Sequence, residues 1–170
     1  MRQPRRSPIA SSLTLASALF ALPEPAAAQA GIRPLAPYEA RVVEFAREGA
    51  MRRLQSAECR QVLSDFKDPQ GRTPLENLRP FAMEPDQFLA VIPFLDGRSR
   101  PLCQANQSQL LTTRGVARVF VCKSFLQTVQ QERDLAEIYV IHEMLHALGL
   151  DENPPSSLEI TQQVKRRCGR

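Results

Sequence analysis

Histidine and cysteine are both scarce in this chain of 170 residues, which contains two histidines and four cysteines. Cysteine metal sites need closely spaced ligands such as Cys-x-x-Cys, and no two of these cysteines lie that close. A cysteine metal site is therefore not expected. Hydrophobic residues make up 43% of the chain and charged residues 24%, which excludes wholesale disorder as well as collagen-like or coiled-coil repetition.

The excess of basic residues is small and lies mainly at the start of the chain. Lys and Arg number 22 against 18 Asp and Glu, a net charge of +4. The first thirty residues contain Arg2, Arg5 and Arg6 but only one acid, Glu24, which leaves +2 for the remainder. A charge this low and evenly mixed argues against nucleic acid as a partner.

The first thirty residues have the layout of a secretory signal. A basic start leads into an apolar, small-residue stretch over residues 9–22, which is shorter than the ~20 residues needed to span a bilayer. Pro23 ends any helix, and Ala-Gln-Ala at positions 28–30 offers the small residues that a signal peptidase requires. We therefore expect a signal peptide over residues 1–30 and one domain over 31–170. The product is expected in the periplasm or outside the cell, with no membrane attachment after cleavage.

The four cysteines predict two structural disulfides. An even number of widely spaced cysteines in an exported protein is typical of a disulfide framework. Three pairings are possible, and the sequence does not distinguish them. The residues concerned are Cys59, Cys103, Cys122 and Cys168.

Periodicity and turn residues predict several helices and two strands. A loose arm is expected before the first helix. The predicted elements are an arm over 31–37, helices over 38–57, from Thr73, from Pro85, over 134–148 and over 157–168, and strands over Leu110–Thr113 and Val116–Cys122.

The helix over 134–148 carries the chain's chemistry. Asp134 and Glu137 suit its start, and Gly149 suits its end. Within it lies His142-Glu143-Met144-Leu145-His146, which contains both histidines of the chain. Imidazoles four residues apart share one helix face and can bind one zinc ion. Glu143 lies beside them and can act as general base on a zinc-activated water.

A solvated surface helix is the plain alternative for this motif. The rest of the helix is apolar nearly all round, which predicts burial. Buried polar side chains without partners are costly, so His142, Glu143 and His146 would need a ligand such as a metal ion.

The stretch from His142 to Glu152 resembles the zincin metallopeptidases. His142, Glu143, His146 and Gly149 match the extended metzincin pattern, in which the glycine turns the chain and returns a third ligand to the metal. The position corresponding to that ligand is Glu152, where the family usually has histidine. Two departures from the family are the lack of a downstream methionine and of a thermolysin-like C-terminal domain. The strand Val116–Cys122 resembles the zincin edge strand along which an extended peptide docks.

Three acidic residues compete for the position of third ligand. Spacing and the turn at Gly149 favour Glu152. Glu159 is the rival by resemblance to the gluzincin arrangement, although Ser156 and Glu159 also form a helix-capping box. Asp151 can bind the metal or orient a histidine. Tyr139 or Tyr38 could donate a hydrogen bond to the oxyanion of the reaction, although a packed core role is the simpler interpretation.

Taken together, the sequence predicts an α+β protein, a single zincin-like domain with a small sheet packed against an active-site helix. We expect a monomeric, exported Zn²⁺-dependent peptidase that acts on a peptide or protein substrate. His142, His146 and Glu152 are the expected metal ligands, and Glu143 is the expected general base. Two alternatives are a zinc-stabilised periplasmic binding module without catalytic activity and a disulfide-held interaction protein without metal.

Overall fold

The computed structural model of the chain describes residues 32–169. The predicted signal peptide lies outside these residues. The described part is a mixed α+β structure of eight α-helices and one three-stranded sheet, which confirms the predicted fold class in its general form. The helices are α1 (Pro37–Leu54), α2 (Ala57–Arg60), α3 (Pro74–Leu78), α4 (Pro85–Val91), α5 (Pro101–Gln104), α6 (Lys123–Gln131), α7 (Arg133–Ala147) and α8 (Ser157–Cys168). The strands are β1 (Phe94–Asp96), β2 (Leu110–Thr112) and β3 (Val119–Val121).

Several helices begin where the sequence places a proline or a capping side chain. Thr73 accepts a hydrogen bond from the backbone of Glu76 at the start of α3, and Ser156 caps α8 through Glu159 in the same way. Pro85 is the first residue of α4. These caps satisfy backbone N–H groups that have no partner within the helix. The predicted starts at Thr73 and Pro85 and the predicted helix over 157–168 are confirmed.

The sheet has the order β1-β3-β2, with β1 parallel and β2 antiparallel to β3. The expectation that Val116–Cys122 is an edge strand is therefore wrong. All three residues of β3 are buried, which suits a strand with neighbours on both sides, and β2 forms the edge instead.

The expected loose arm before α1 is also partly wrong. Pro34 forms an isolated antiparallel bridge with Leu95, and the backbone N–H of Asp96 donates to the carbonyl of Arg33 at 2.9 Å. These contacts occupy the free side of β1. They leave β2 as the open edge of the described sheet.

Helix α7 lies at the centre of the core, and α1, α6 and α8 pack against it. Its buried residues include both histidines of the metal motif, which confirms the burial expected from its apolar character. The helix begins at Arg133, one residue earlier than predicted, and Glu137 does not serve as its cap. The buried residues of α7 are Ala136, Glu137, Ile138, Val140, Ile141, His142, Met144, Leu145, His146 and Ala147.

Glu137 instead forms a buried ion-pair cluster between α7 and α1. Its carboxylate accepts from Arg53 Nε at 2.6 Å and from Arg133 Nε at 3.0 Å. The Glu137 side chain is 6% exposed. The two guanidinium groups therefore offset the cost of burying its negative charge. Gly49 on α1 makes room for it, because a Cβ atom at that position would overlap the Glu137 carboxyl group.

We expect Gly49→Ala to destabilise the protein although alanine is the better helix former. Displacing Glu137 breaks a buried pair, which costs about 3–5 kcal/mol, whereas the gain in helix propensity is about 1 kcal/mol. The net loss of about 2–4 kcal/mol should lower the melting temperature, measured by circular dichroism. Glu48→Ala, an exposed position on the same helix, is the control and should change little. A melting temperature of Gly49→Ala at or above the parent value would contradict this role of Glu137.

Two disulfides join distant parts of the described chain, as the sequence predicts. Cys59 on α2 pairs with Cys168 at the end of α8, and Cys103 on α5 pairs with Cys122 after β3. The second bond ties the segment before β2 to the centre of the sheet. None of the helices between residues 32 and 169 is both long and apolar enough for a membrane crossing.

Candidate metal centre

The two histidines of α7 face one another across one helical turn. Their Nε2 atoms are 2.9 Å apart, and both side chains are buried. Because residues four apart share a helix face, the regular backbone of α7 is sufficient to bring the rings together.

The chain reverses immediately after α7 and returns an acidic side chain to this pair. Gly149 has φ +97°, a left-handed conformation that side chains rarely adopt, and it ends the helix as the sequence predicts. The N–H of Leu150 then donates to the carbonyl of Leu145 at 3.0 Å. Glu152 Oε1 lies 3.2 Å from Nε2 of His146 and 3.6 Å from Nε2 of His142.

Each histidine also uses its second ring nitrogen. His146 Nδ1 donates to the carbonyl of Leu150 at 2.8 Å; a carbonyl only accepts, so a neutral His146 ring directs the Nε2 lone pair at its neighbours. His142 Nδ1 lies 2.9 Å from Oγ1 of Thr161. A hydroxyl can accept as well as donate, so Thr161 allows His142 to present the lone pair of its own Nε2. Such outer partners are typical of metal-binding histidines.

The Glu152 carboxyl group is held in its charged form. The contact with the His142 ring lowers the pKa of Glu152 to about 2, against the opposing effect of partial burial and with a further contribution from the charge of His146. A carboxylate that stays ionised at neutral pH is ready to bind a cation without first losing a proton.

His142, His146 and Glu152 together form a group that could hold a metal ion. One donor atom from each residue lies within 4.8 Å of the other two. Two imidazole nitrogens and a carboxylate oxygen that converge in this way make a site rich in lone pairs, which a cation would stabilise. Within residues 32–169 this is the one group of at least three such side chains that meets these distances.

The structure gives the two rival acids other partners. Glu159 Oε2 accepts from the N–H of Ser156 at 2.8 Å and from its hydroxyl at 2.7 Å, so its carboxylate caps α8. Asp151 Oδ2 accepts from Arg114 at 2.7 Å, and Oδ1 accepts from the N–H of Glu152. Neither belongs to the metal-binding group. Asp151 forms no hydrogen bond to either histidine ring, so it does not orient one.

The candidate centre opens into a cleft of about 750 Å³. The cleft is lined by residues of α7, by the segment 106–112 and by residues from the segment 150–161. Glu143 lines this cleft beside the two histidines and makes no hydrogen bond to the described residues. Its carboxylate is thus available to a molecule in the cleft.

The open edge of β2 lies along the same cleft. The N–H of Cys122 donates to the carbonyl of Gln109 at 3.0 Å, which makes these two residues a hydrogen-bonded pair of the antiparallel ladder. Such pairs alternate along a strand. Leu111 therefore also directs its backbone groups towards β3, and Leu110 and Thr112 direct theirs towards the open edge. An extended peptide could pair with those groups.

The two tyrosines that the sequence suggests as oxyanion donors lie in different environments. Tyr139 lines the cleft, whereas Tyr38 accepts a hydrogen bond from Gln130 at 3.1 Å on the surface. Only Tyr139 remains placed to assist a reaction in the cleft, and that role stays a prediction.

Sequence reasoning missed the outer partners of the histidines. Thr161 is 19 positions from His142 and belongs to another helix, and no local pattern connects them. The only available signal was the predicted packing of the last helix against the core, which placed that helix near α7 without selecting a residue.

Comparison of the chain with family models, with curated protein sequences and with solved structures finds no match.

Proposed function

We propose that the chain is an exported zinc-dependent peptidase with a compact zincin-like domain. The observation that carries this proposal is the convergence of His142 Nε2, His146 Nε2 and Glu152 Oε1 at separations of 2.9–3.6 Å. A tetrahedral zinc ion with bonds of about 2.0–2.2 Å has ligand atoms about 3.3–3.6 Å apart, so the donor set and its size both suit zinc. Three protein ligands with a fourth position open to the cleft are typical of a catalytic zinc.

Glu143 is the general base in this proposal. A zinc ion held by the three ligands would supply Lewis acidity towards a peptide carbonyl and a nearby water. Glu143 would accept a proton from the water whose oxygen bonds to the carbonyl carbon, and would pass it to the amide nitrogen as the C–N bond breaks. Its position in the cleft, one residue from His142 and without a competing partner among the described residues, supports this role.

The substrate would lie extended along β2. Leu110 and Thr112 direct backbone donors and acceptors towards the open edge, and hydrogen bonds to them would fix a peptide beside the metal ligands. The uncharged residues Asn106, Gln107 and Gln109 also line the cleft beside β2. This part of the cleft therefore offers hydrogen bonds rather than charge, which suits a peptide backbone.

Export of the protein is part of the same proposal. Two disulfides persist best in an oxidising compartment, in agreement with the predicted signal peptide. We further propose that the mature domain acts as a monomer, since the ligand group and the cleft are formed by one chain.

The direct test combines metal content with cleavage. The full chain, exported from a host and purified without an affinity tag, should contain about one equivalent of zinc and cleave members of a diverse peptide library followed by mass spectrometry. A chelator should abolish cleavage, and added zinc should restore it. Stoichiometric zinc without any cleavage would instead identify a non-catalytic, zinc-stabilised binding module. Absence of bound metal would contradict the site itself.

A further inference from the structure

The turn that returns Glu152 to the histidines is held by two residues from a distant segment. Asn77 Nδ2 donates to the carbonyl of Leu148 at 2.8 Å and to Oδ2 of Asp68 at 3.0 Å. The same amide lies against Gly149, where a Cβ atom would come within 2.9 Å of Nδ2. Gly149 is therefore required for this close approach as well as for its positive φ.

Asp68 is fixed in place by its own loop. Its side chain is 1% exposed, and Oδ1 accepts from the N–H groups of Gln70 at 2.9 Å and Arg72 at 2.8 Å. The hydrogen bond from Asn77 lowers the pKa of Asp68, so the carboxylate stays ionised at neutral pH. A buried, charged acceptor of this kind holds the Asn77 amide in one orientation.

Only two residues, Leu150 and Asp151, separate Gly149 from Glu152. Leu150 is bound on both sides, through its N–H to Leu145 and through its carbonyl to Nδ1 of His146. The Glu152 side chain is 39% exposed, and besides the histidines its hydrogen-bond partner is Ser157, at the start of α8. Its position near the histidines therefore depends on where the turn places the backbone.

A second contact to this segment is weaker. Arg114 and Asp151 form an ion pair at 2.7 Å, but their side chains are 44% and 49% exposed. Exposed pairs contribute little because water and salt screen them. The buried contacts of Asp68 and Asn77 are thus the stronger restraint on the turn.

We propose that Asp68 and Asn77 are positioning residues for the metal centre: by clamping the Leu148–Gly149 turn, they set the place of the third ligand, Glu152. Neither residue lines the cleft, so both act through the turn. The inference rests on the metal-binding part of the proposed function and does not require peptide cleavage.

The test measures metal binding by competition with a chromophoric chelator, and the visible spectrum of the Co²⁺-loaded protein. Asn77→Ala should weaken Zn²⁺ and Co²⁺ binding by about 10–100-fold and change the Co²⁺ absorption bands, since Glu152 is displaced. Val43→Ala, a buried position on α1, should lower thermal stability without changing the affinity or the spectrum. Arg114→Ala should keep its affinity within about threefold of the parent.

Asp68→Asn keeps the volume of the side chain and provides the same measurements if Asn77→Ala fails to fold. Parent-like affinity and spectrum in the variants of Asp68 and Asn77 would overturn the proposal. An equal loss in Val43→Ala would overturn it as well, because the effect would then follow from general destabilisation. If the parent protein binds neither Zn²⁺ nor Co²⁺, then both the proposed metal centre and the positioning role of Asp68 and Asn77 are wrong. Peptide cleavage by the parent protein is assayed separately, and its result bears only on the peptidase assignment.

Discussion

Glu143→Gln is expected to abolish peptide cleavage while leaving the metal content unchanged. Glutamine has nearly the same shape but cannot accept the proton of the attacking water, and loss of a general base typically costs about 10²–10⁴-fold in rate. Metal binding should persist because Glu143 does not belong to the group formed by His142, His146 and Glu152. The measurements are kcat/KM on a cleaved library peptide and elemental analysis of the same preparation.

The control for this substitution is Glu132→Gln, at an exposed position just before α7. It removes an equal charge near the same helix but outside the cleft lining, and it should retain parental activity. Full activity in Glu143→Gln would exclude the assigned role of Glu143. A loss of zinc in that variant would show that Glu143 supports the ion instead of the reaction.

The second large effect concerns the third ligand. Glu152→Gln should weaken zinc binding by more than about 100-fold, because even outer partners of metal ligands contribute about 10–100-fold. The substitution removes a negative charge from the group, since Glu152 is ionised at neutral pH. Isothermal titration of the metal-free protein with zinc would measure the change.

Glu159→Gln is the matched control for Glu152→Gln. The same chemical change seven residues later only weakens a helix cap, because an amide oxygen can still accept from Ser156 as Glu159 does but carries no charge. Thermal stability should therefore fall slightly while zinc affinity stays at the parental value. If Glu159→Gln released the metal and Glu152→Gln retained it, the gluzincin-like arrangement would hold and the assignment of Glu152 would be wrong.

The parts of the candidate site that the sequence predicts lie within one stretch of chain. His142 and His146 come together through the periodicity of a single helix, and Gly149 ends that helix by a conformation that glycine adopts freely. Such features depend on neighbouring residues only, so residue spacing and residue type are enough to predict them. The capping boxes at Thr73 and Ser156 were predictable for the same reason.

The parts that the sequence does not predict depend on contacts between distant segments. The β-branched residues of Val116–Cys122 predict a strand, and the resemblance to the zincins predicts that it is an edge strand. The pairing of Phe94–Asp96 with Val119–Val121 instead makes it the centre of the sheet. Strand β1 was missed altogether, since three residues after a proline carry no periodic signal. Strand order is decided by which segments meet in the folded chain, and one sequence does not reveal that.

Glu137 illustrates a local signal that the folded protein uses differently. An acid in the first turn after Asp134 is typical of a helix start, but burial against α1 and the guanidinium groups of Arg53 and Arg133 gives this carboxylate its partners instead. The glycine at position 49 provides the space, and nothing near Glu137 in the sequence indicates it. Tertiary packing outweighs local preference here.

The turn between β2 and β3 contacts α7 directly, since the N–H of Gly115 donates to the carbonyl of His146 at 2.8 Å. The open strand edge and the imidazoles thus belong to one continuous hydrogen-bonded framework. In the proposed peptidase, a peptide paired with that edge would always bring the same position of its chain to the candidate metal ligands, so the cleaved bond would be set by the residues paired with β2. Selectivity for the cleaved bond would then come from the alignment of the peptide on β2, and no closing lid would be needed.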